Sequence, residues 1–322
     1  MVTLGIEVEA YAKRGNDFVN VLEEVGYVPA KTPGANPSTG GDVGFCQWEG
    51  ATAICRSPTD VFRDLSECVR RVPEGIALHF RSETPYRGVM PLTRGPRYDA
   101  MAEALVREHP RGFNGMTKVA RRNALHAHIG VDNVLSDEAM LLLNVTNNIA
   151  PYARMRMIRK HEVRGAERQL LIWQGWSQNA ARVPAPRWFM GPDHLIGFMT
   201  SIPKLIVNRC GEWRPGDGER LKFGHADGEG TCWWASRPRA SFPEPTVEWR
   251  VFPTLDPEGA RRFSHELFRF AEAFCEHAHI AAGAQFVHDP RVKRLYKKLR
   301  AASYLVPEAP LDDATWWHLY RQ

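Results

Sequence analysis

The sequence predicts an α+β fold, on three observations. Three stretches alternate apolar and charged residues with the two-residue period of a half-buried strand. Amphipathic helical stripes with capping residues lie between them. No repeat, low-complexity tract or linker interrupts the chain, so residues 1–322 read as one domain.

Residues 3–11 are the first expected strand, with Glu7 and Glu9 on one face and Leu4, Ile6 and Val8 on the other. Asn16 and Asp17 precede an expected helix with Phe18, Val21, Leu22 and Val25 on its apolar side, stopping near Gly26. Residues 34–44 are Gly-rich and read as a hairpin connection; they lack the Lys-Ser/Thr ending of a P-loop. Residues 45–56 read as one or two strands broken at Gly50, carrying Gln47, Glu49 and Arg56. Ser57, Pro58 and Asp60 then fit the N-cap, first and capping-box positions of a helix with a Val61, Leu65, Cys68, Val69 stripe. A strand over 76–81, a turn-rich connection over 84–96 and a helix over 97–109 follow. A basic connection over 110–124 holds Arg111, Lys118, Arg121 and Arg122, with a turn at Asn114-Gly115.

Residues 125–131 form the second charged strand, with His126 and His128 on one face. Ser136 caps a long apolar helix that Pro151 perturbs, and a run dense in Arg, Lys and His spans 154–168. A further helix is expected over 192–208, then a polar, Gly-rich stretch over 211–230. In Thr246 to Val251, Glu248 and Arg250 share one face and Val247, Trp249 and Val251 the other. Asp256-Pro257 and Asp289-Pro290 open the last two expected helices. The second carries Lys293-Arg294 and Lys297-Lys298, which read as a solvated face.

Composition is that of a globular protein, with 43% hydrophobic and 25% charged residues. Six scattered cysteines without a CxxC pair suggest reduced thiols in a cytoplasmic protein. Glu7 and Glu9 interrupt any secretory leader, and no apolar run reaches spanning length, so no membrane partner is expected. A net charge of +5 and a pI of about 8.9 fit an anionic substrate such as a nucleotide; nucleic acid is not the expected partner.

Each charged pair has an ordinary reading when taken alone. Glu-x-Glu is a solvated strand face, His-x-His a hydrogen-bonded pair, and Glu248-x-Arg250 a surface ion pair. Carboxylates two apart on a strand also aim hard oxygen ligands the same way, which suits Mg2+ or Mn2+ better than zinc. Arg237, before Pro238, reads as a clamp on a carboxylate or phosphate, or as a loop-surface arginine. Trp233 and Trp234 read as packing. The recurrence of one chemistry on three alternating strands points to a shared site.

The motifs resemble those of the glutamate–cysteine ligase type 2 group of carboxylate–amine ligases, within the glutamine-synthetase-like amidoligases. Gly5-Ile6-Glu7-Val8-Glu9 is similar to the family's opening Gly-x-Glu-x-Glu strand, and Cys55-Arg56-Ser57-Pro58 to the end of its second acidic strand. Thr84-Pro85-Tyr86 and Arg97 to Met101 resemble the segment before its histidine strand; Leu125 to Val131 resembles that His-x-His-x-Gly-Val strand itself. Trp233 to Pro238 and Thr246 to Arg250 resemble its Arg-Pro and Thr-Val-Glu-x-Arg signatures. The likeness covers roughly 1–150 and 230–275.

The resemblance implies a curved antiparallel β-sheet funnel flanked by helices. It also implies ATP and Mg2+ or Mn2+ on the sheet face. A substrate carboxylate would take the γ-phosphoryl group, and an amine would displace phosphate to form an amide. On that reading Glu7, Glu9, Glu49, His126 and Glu248 hold metal; His126, His128 and Arg250 hold phosphate; Arg250 and Arg237 are catalytic, Arg237 by orienting the substrate carboxylate. The partners implied are a small carboxylate and amine, or a carboxylate on a peptide or protein.

The sequence departs from the family pattern in three places. Ile54 lies near the family's second-strand glutamate, which shifts or removes one metal position. Thr84 stands where the family tends to have histidine. Tyr152-Ala-Arg154-Met-Arg156 replaces a segment rich in Ser-Pro-Phe and Gly, which points to an acidic or extended carboxylate instead of simple glutamate plus cysteine. The rival readings are a phosphotransferase of the same fold and a degenerate nucleotide-binding relative without activity.

Overall fold

The structure is a computed structural model and describes residues 2–26, 36–108, 120–163, 188–224, 234–241 and 244–321. Its centre is β1 (Leu4–Arg14), whose eleven residues include the even-numbered apolar set Leu4, Ile6, Val8, Ala10 and Ala12. β4 (Gln47–Ala51) pairs along one edge of β1 and β6 (Ala124–Gly130) along the other. β10 (Thr246–Pro253) adds to β6, β9 (Ser236–Arg239) adds to β10, and β3 (Ser38–Gly41) adds to β4. The short β2 (Asp17–Phe18) and β5 (Ala77–His79) pair with the far end of β1. All these pairings are antiparallel. The order β3-β4-β1-β6-β10-β9 leaves β3 and β9 as edges, so the eight-stranded sheet is open. The α+β expectation holds at this level; the funnel goes beyond what strand order establishes. β7 (Ile206–Arg209) and β8 (Glu212–Pro215) form a separate hairpin. It packs with α3 (Pro96–Glu108), and Arg97 lies over the Trp213 ring.

The apolar face of the sheet is covered by helices. α2 (Pro58–Arg70) starts as its sequence requires, with the Ser57 hydroxyl accepting from the Asp60 amide and Pro58 at the first helical position. It packs on β4 and on α6 (Pro257–His277). α6 sets Phe270 against Trp249, with ring centres 5.4 Å apart, and Phe263 against Phe252 at 4.8 Å. α4 (Asp137–His161) packs on β9 and β10. α7 (Pro290–Ala302) packs behind α6, and α8 (Asp313–Arg321) behind α4.

Several elements differ from expectation. α1 (Val21–Glu24) is one turn capped by Asn20, and Asp17 and Phe18 are strand residues. The Gly-rich stretch contains strand β3, so residues 38–41 belong to the sheet. β4 runs through Gly50 unbroken; a Cβ there would collide with the Trp48 ring. The helix expected over 192–208 stops as α5 (Pro192–Thr200), because Ile202 precedes Pro203 and is driven from helical geometry. α8 had no counterpart in the expectations. Arg111, Lys118, Asn114-Gly115, Arg164, Arg168, Cys232 and Trp233 lie outside the described residues.

Pro151 does not break α4. It has no N–H to give the Asn147 carbonyl, and that oxygen accepts from Trp316 Nε1 of α8 at 3.0 Å. The same asparagine holds β9: its side chain exchanges two hydrogen bonds with the Ser236 backbone, at 2.9 and 3.0 Å. Thr146 Oγ1 donates to Ser236 Oγ at 2.7 Å. The helix expected to be merely apolar is therefore a polar clamp on the edge strand that carries Arg237.

Candidate functional site

Alternation along the strands, with the register between them, decides what meets on the other face of the sheet. Glu7 lies opposite His126, and Glu9 opposite Glu49. Glu248 lies opposite His128 on one side and Arg237 on the other. Glu7, Glu9, Glu49, His126, His128, Arg237, Glu248 and Arg250 are thereby brought onto one face, from five strands. This face is not an open charged surface: Glu7 is 7% exposed, Glu9 6% and Glu248 1%. Charges so buried must be paired or bind a counter-ion.

At the β9–β10 end, Glu248 is the hub. Arg237 donates to it through Nε (2.7 Å) and Nη2 (3.1 Å), Arg239 through Nη1 (2.9 Å), and Arg250 through Nη1. Burial alone pushes the Glu248 carboxyl up, but Arg237, Arg250 and Arg239 outweigh it and hold it well below the usual carboxylate range. Burial and the neighbouring Arg250 bring Arg237 down to about 9. A β-bulge between Trp249 and Phe252 interrupts the ladder just where Arg250 leaves it.

In the middle, Glu7 accepts from both imidazoles, from His126 Nδ1 at 2.9 Å and His128 Nε2 at 3.1 Å. Burial opposes its charge, yet His128 and these hydrogen bonds hold Glu7 well below its ordinary value. Burial and Arg250 depress His126.

At the β4 end the balance reverses. Burial, then the charges of Asp42 and Glu49, push the Glu9 carboxyl well above the usual range. Its Oε2 accepts from the Ala124 amide at 2.7 Å and from Gln47 Nε2 at 3.1 Å. Gln47 also donates to the Arg122 carbonyl and accepts from the Gly44 amide, which ties the stretch following Asp42 to β4.

Two groups of three could each hold a cation: Glu7, His128 and Glu248, and Glu9, Asp42 and Glu49. In each, one ligand atom per residue lies within 4.8 Å of the others. Carboxylate oxygens with a single imidazole suit Mg2+ or Mn2+. Five carboxylates stand against three guanidiniums on this face, a surplus of negative charge that divalent cations would balance.

Sequence reasoning did not find Asp42 or Arg239. Asp42 sat in a stretch taken for a connection; its Oδ1 accepts from Tyr98 of α3 at 3.0 Å. Arg239 carried a signal that could have been used, since it lies two residues from Arg237 on an extended segment and so shares its face. Glu49, the second-strand acid of the sequence reading, lies beside Glu9 and Asp42 in the second group. In the basic run, Arg154 is buried, whereas Arg159 and Lys160 are exposed. Trp234 is fully buried against Phe189 and Phe198.

No protein-family model matches the chain, and no curated protein matches it in sequence. Among solved structures, it is similar to a bifunctional glutathione synthetase from Pasteurella multocida, with a TM-score of 0.39 and 14% identity over 94% of this chain and 42% of that one. It is also similar to a glutamate–cysteine ligase from Francisella tularensis solved in complex with AMP, with a TM-score of 0.42 and 9% identity over 99% of this chain and 80% of that one. The chain thus spans less than half the length of the first.

Proposed function

We propose that this single-domain chain is an ATP-dependent carboxylate–amine ligase acting through an acyl phosphate. One observation carries the reading: two three-ligand oxygen-rich groups lie side by side on one buried sheet face, next to three guanidiniums. That arrangement suits a polyphosphate and its divalent cations better than it suits a nucleophile. The motif resemblance, in the same order along the chain, supports the same reaction.

Mg2+ held by these two groups would supply neutralisation of phosphate charge. The chain's own residues do the rest. Glu9, Asp42 and Glu49 supply one oxygen-only ligand set, and Glu7, His128 and Glu248 the other. Thr246 Oγ1, 3.2 Å from His128 Nδ1, can accept a hydrogen bond from it; in that tautomer Nε2 would no longer donate to Glu7 and could serve as a ligand. Arg239 and Arg250 are each 13% exposed at the side chain, against 5% for Arg237. Those two are better placed to meet the transferred phosphoryl group, while Arg237 keeps Glu248 ionised and oriented. The role of orienting the substrate carboxylate, expected of Arg237, would require its fork to leave Glu248.

The test is a screen of amino-acid pairs for ADP and phosphate release, with mass spectrometry of the products. Amide formation that needs both substrates, and is lost in Glu7→Gln while the fold persists, is the expected result. Phosphate transfer to a guanidine without an amide product would instead identify a phosphotransferase. Unchanged turnover in Glu7→Gln would remove the site from the reaction.

A further inference from the structure

The net positive charge of this chain is accounted for by one helix. α7 carries Arg or Lys at six of its thirteen positions and no acidic residue. The chain as a whole has 42 Lys and Arg against 37 Asp and Glu, so everything outside α7 is close to neutral and marginally negative. A charge balance averaged over the sequence hides this asymmetry.

Helical periodicity makes the six a surface. Val292, Leu295, Tyr296 and Leu299 point into the core and are each 0% exposed. Arg291, Lys293, Arg294, Lys297 and Lys298 are exposed, with Arg300 half-buried beside them. Residues three and four apart on a helix lie about 5–6 Å from each other, so the cations form a continuous stripe. Arg291 is ion-paired with Asp289 at 2.7 Å, and Arg294 lies near the same carboxylate. Among the described residues, no acidic group is ion-paired with Lys293, Lys297, Lys298 or Arg300. Repulsion within such a stripe disfavours the free state and is relieved by a polyanion.

We infer that the outer face of α7 binds the phosphodiester backbone of nucleic acid without sequence preference. Within α7 no large apolar or aromatic side chain is exposed to anchor a folded protein partner. Phosphate binding needs no such anchor, because release of condensed counter-ions supplies the affinity. The surface lies behind α6, on the helical side of the sheet, so the interaction is independent of the site on the opposite face and of the activity proposed for it.

Fluorescence anisotropy of the full chain with a labelled 20-nucleotide single strand, from 50 to 200 mM KCl, tests the inference. Six phosphate contacts predict that log Kd rises with log salt with a slope of about 4. Lys293→Glu combined with Lys297→Glu and Lys298→Glu should weaken binding at least about tenfold at 50 mM, with an unchanged thermal midpoint. A milder variant, Lys297→Gln with Lys298→Gln, should lower the slope by about 1 to 1.5 and guards against loss of fold. No binding at 50 mM, a salt-independent Kd, or variants that bind like the wild type would overturn it. Displacement by poly-glutamate at equal charge concentration would also overturn it, and would point to an acidic polypeptide.

Discussion

The two ends of the charged face handle the same problem, a carboxylate out of water, in opposite ways. Glu248 is surrounded by three guanidiniums and is held in its charged form. Glu9 is placed against two further carboxylates, with an amide, a glutamine, His126 Nε2 at 3.9 Å and the charge of Arg250 in its favour. One end is electrostatically complete as folded. The other is complete only with a cation or a proton. A sheet that merely needed to bury acids would treat both alike; the difference marks the β4 end as the one whose charge is still to be balanced.

Four measurements can break or sharpen this contrast. Glu248→Gln removes the carboxylate charge shared by three guanidiniums, one buried and two half-buried, so urea unfolding should show a loss of about 3 kcal/mol; a loss under about 1 kcal/mol would mean that the hub is not a hub. Mg2+ should stabilise the wild type by about 2.7 kcal/mol at a hundred times its Kd, reversibly with EDTA, and Asp42→Asn should shrink that gain. A gain untouched by Asp42→Asn would place the cation elsewhere.

The third measurement is a pH series in metal-free buffer. Glu9 has a raised folded pKa, so its contribution to stability is present below the ordinary carboxylate value and is lost as pH rises through the folded one. Glu9→Gln, which keeps an oxygen for Ala124 and Gln47, should therefore gain on the wild type with rising pH, by at most about 1.4 kcal/mol per pH unit. Glu7 and Glu248 act in the opposite sense. Their contributions are present above the ordinary value and are lost as pH falls through their lowered folded values. A Glu9→Gln difference that shrinks with rising pH would contradict the assignment. Last and smallest, Tyr98→Phe removes one hydrogen bond to Asp42 and should cost about 1 kcal/mol, with weaker Mg2+ binding.

Most of this face was legible because a strand's period is two and needs no partner to be read. Glu7 with Glu9, His126 with His128, and Glu248 with Arg250 were assigned to shared faces from alternation alone. What alternation cannot supply is register. That Glu9 lies opposite Glu49 while Glu248 lies opposite Arg237, and hence that the two ends differ in charge, depends on pairing between separate segments, 40 and 11 positions apart. Asp42 was missed for a related reason: Gly40 and Gly41 read as a connection by composition, whereas pairing with Trp48 and Glu49 makes them an edge strand that delivers the next residue to the site. The bulge beside Arg250 likewise leaves no mark in the Val-Glu-Trp-Arg-Val pattern. Helix starts were legible at Ser57, Ser136, Asp256 and Asp289, where a cap residue acts locally; α8 carries the same unused signal, since Asp312 just before it accepts from the Thr315 amide.

The carbonyl that Pro151 releases has a consequence for assembly. Its donor, Trp316, is 169 positions downstream, and the asparagine that owns the carbonyl also grips the strand bearing Arg237. During synthesis, everything as far as Trp316 must emerge from the ribosome before that oxygen acquires its donor. A nascent chain stopped short of this tryptophan would have every ligand of the charged face already made, yet its arginine-bearing edge would hang on a helix with an unmet acceptor at its proline. Synthesis through Trp316 thus acts as a late check on the site.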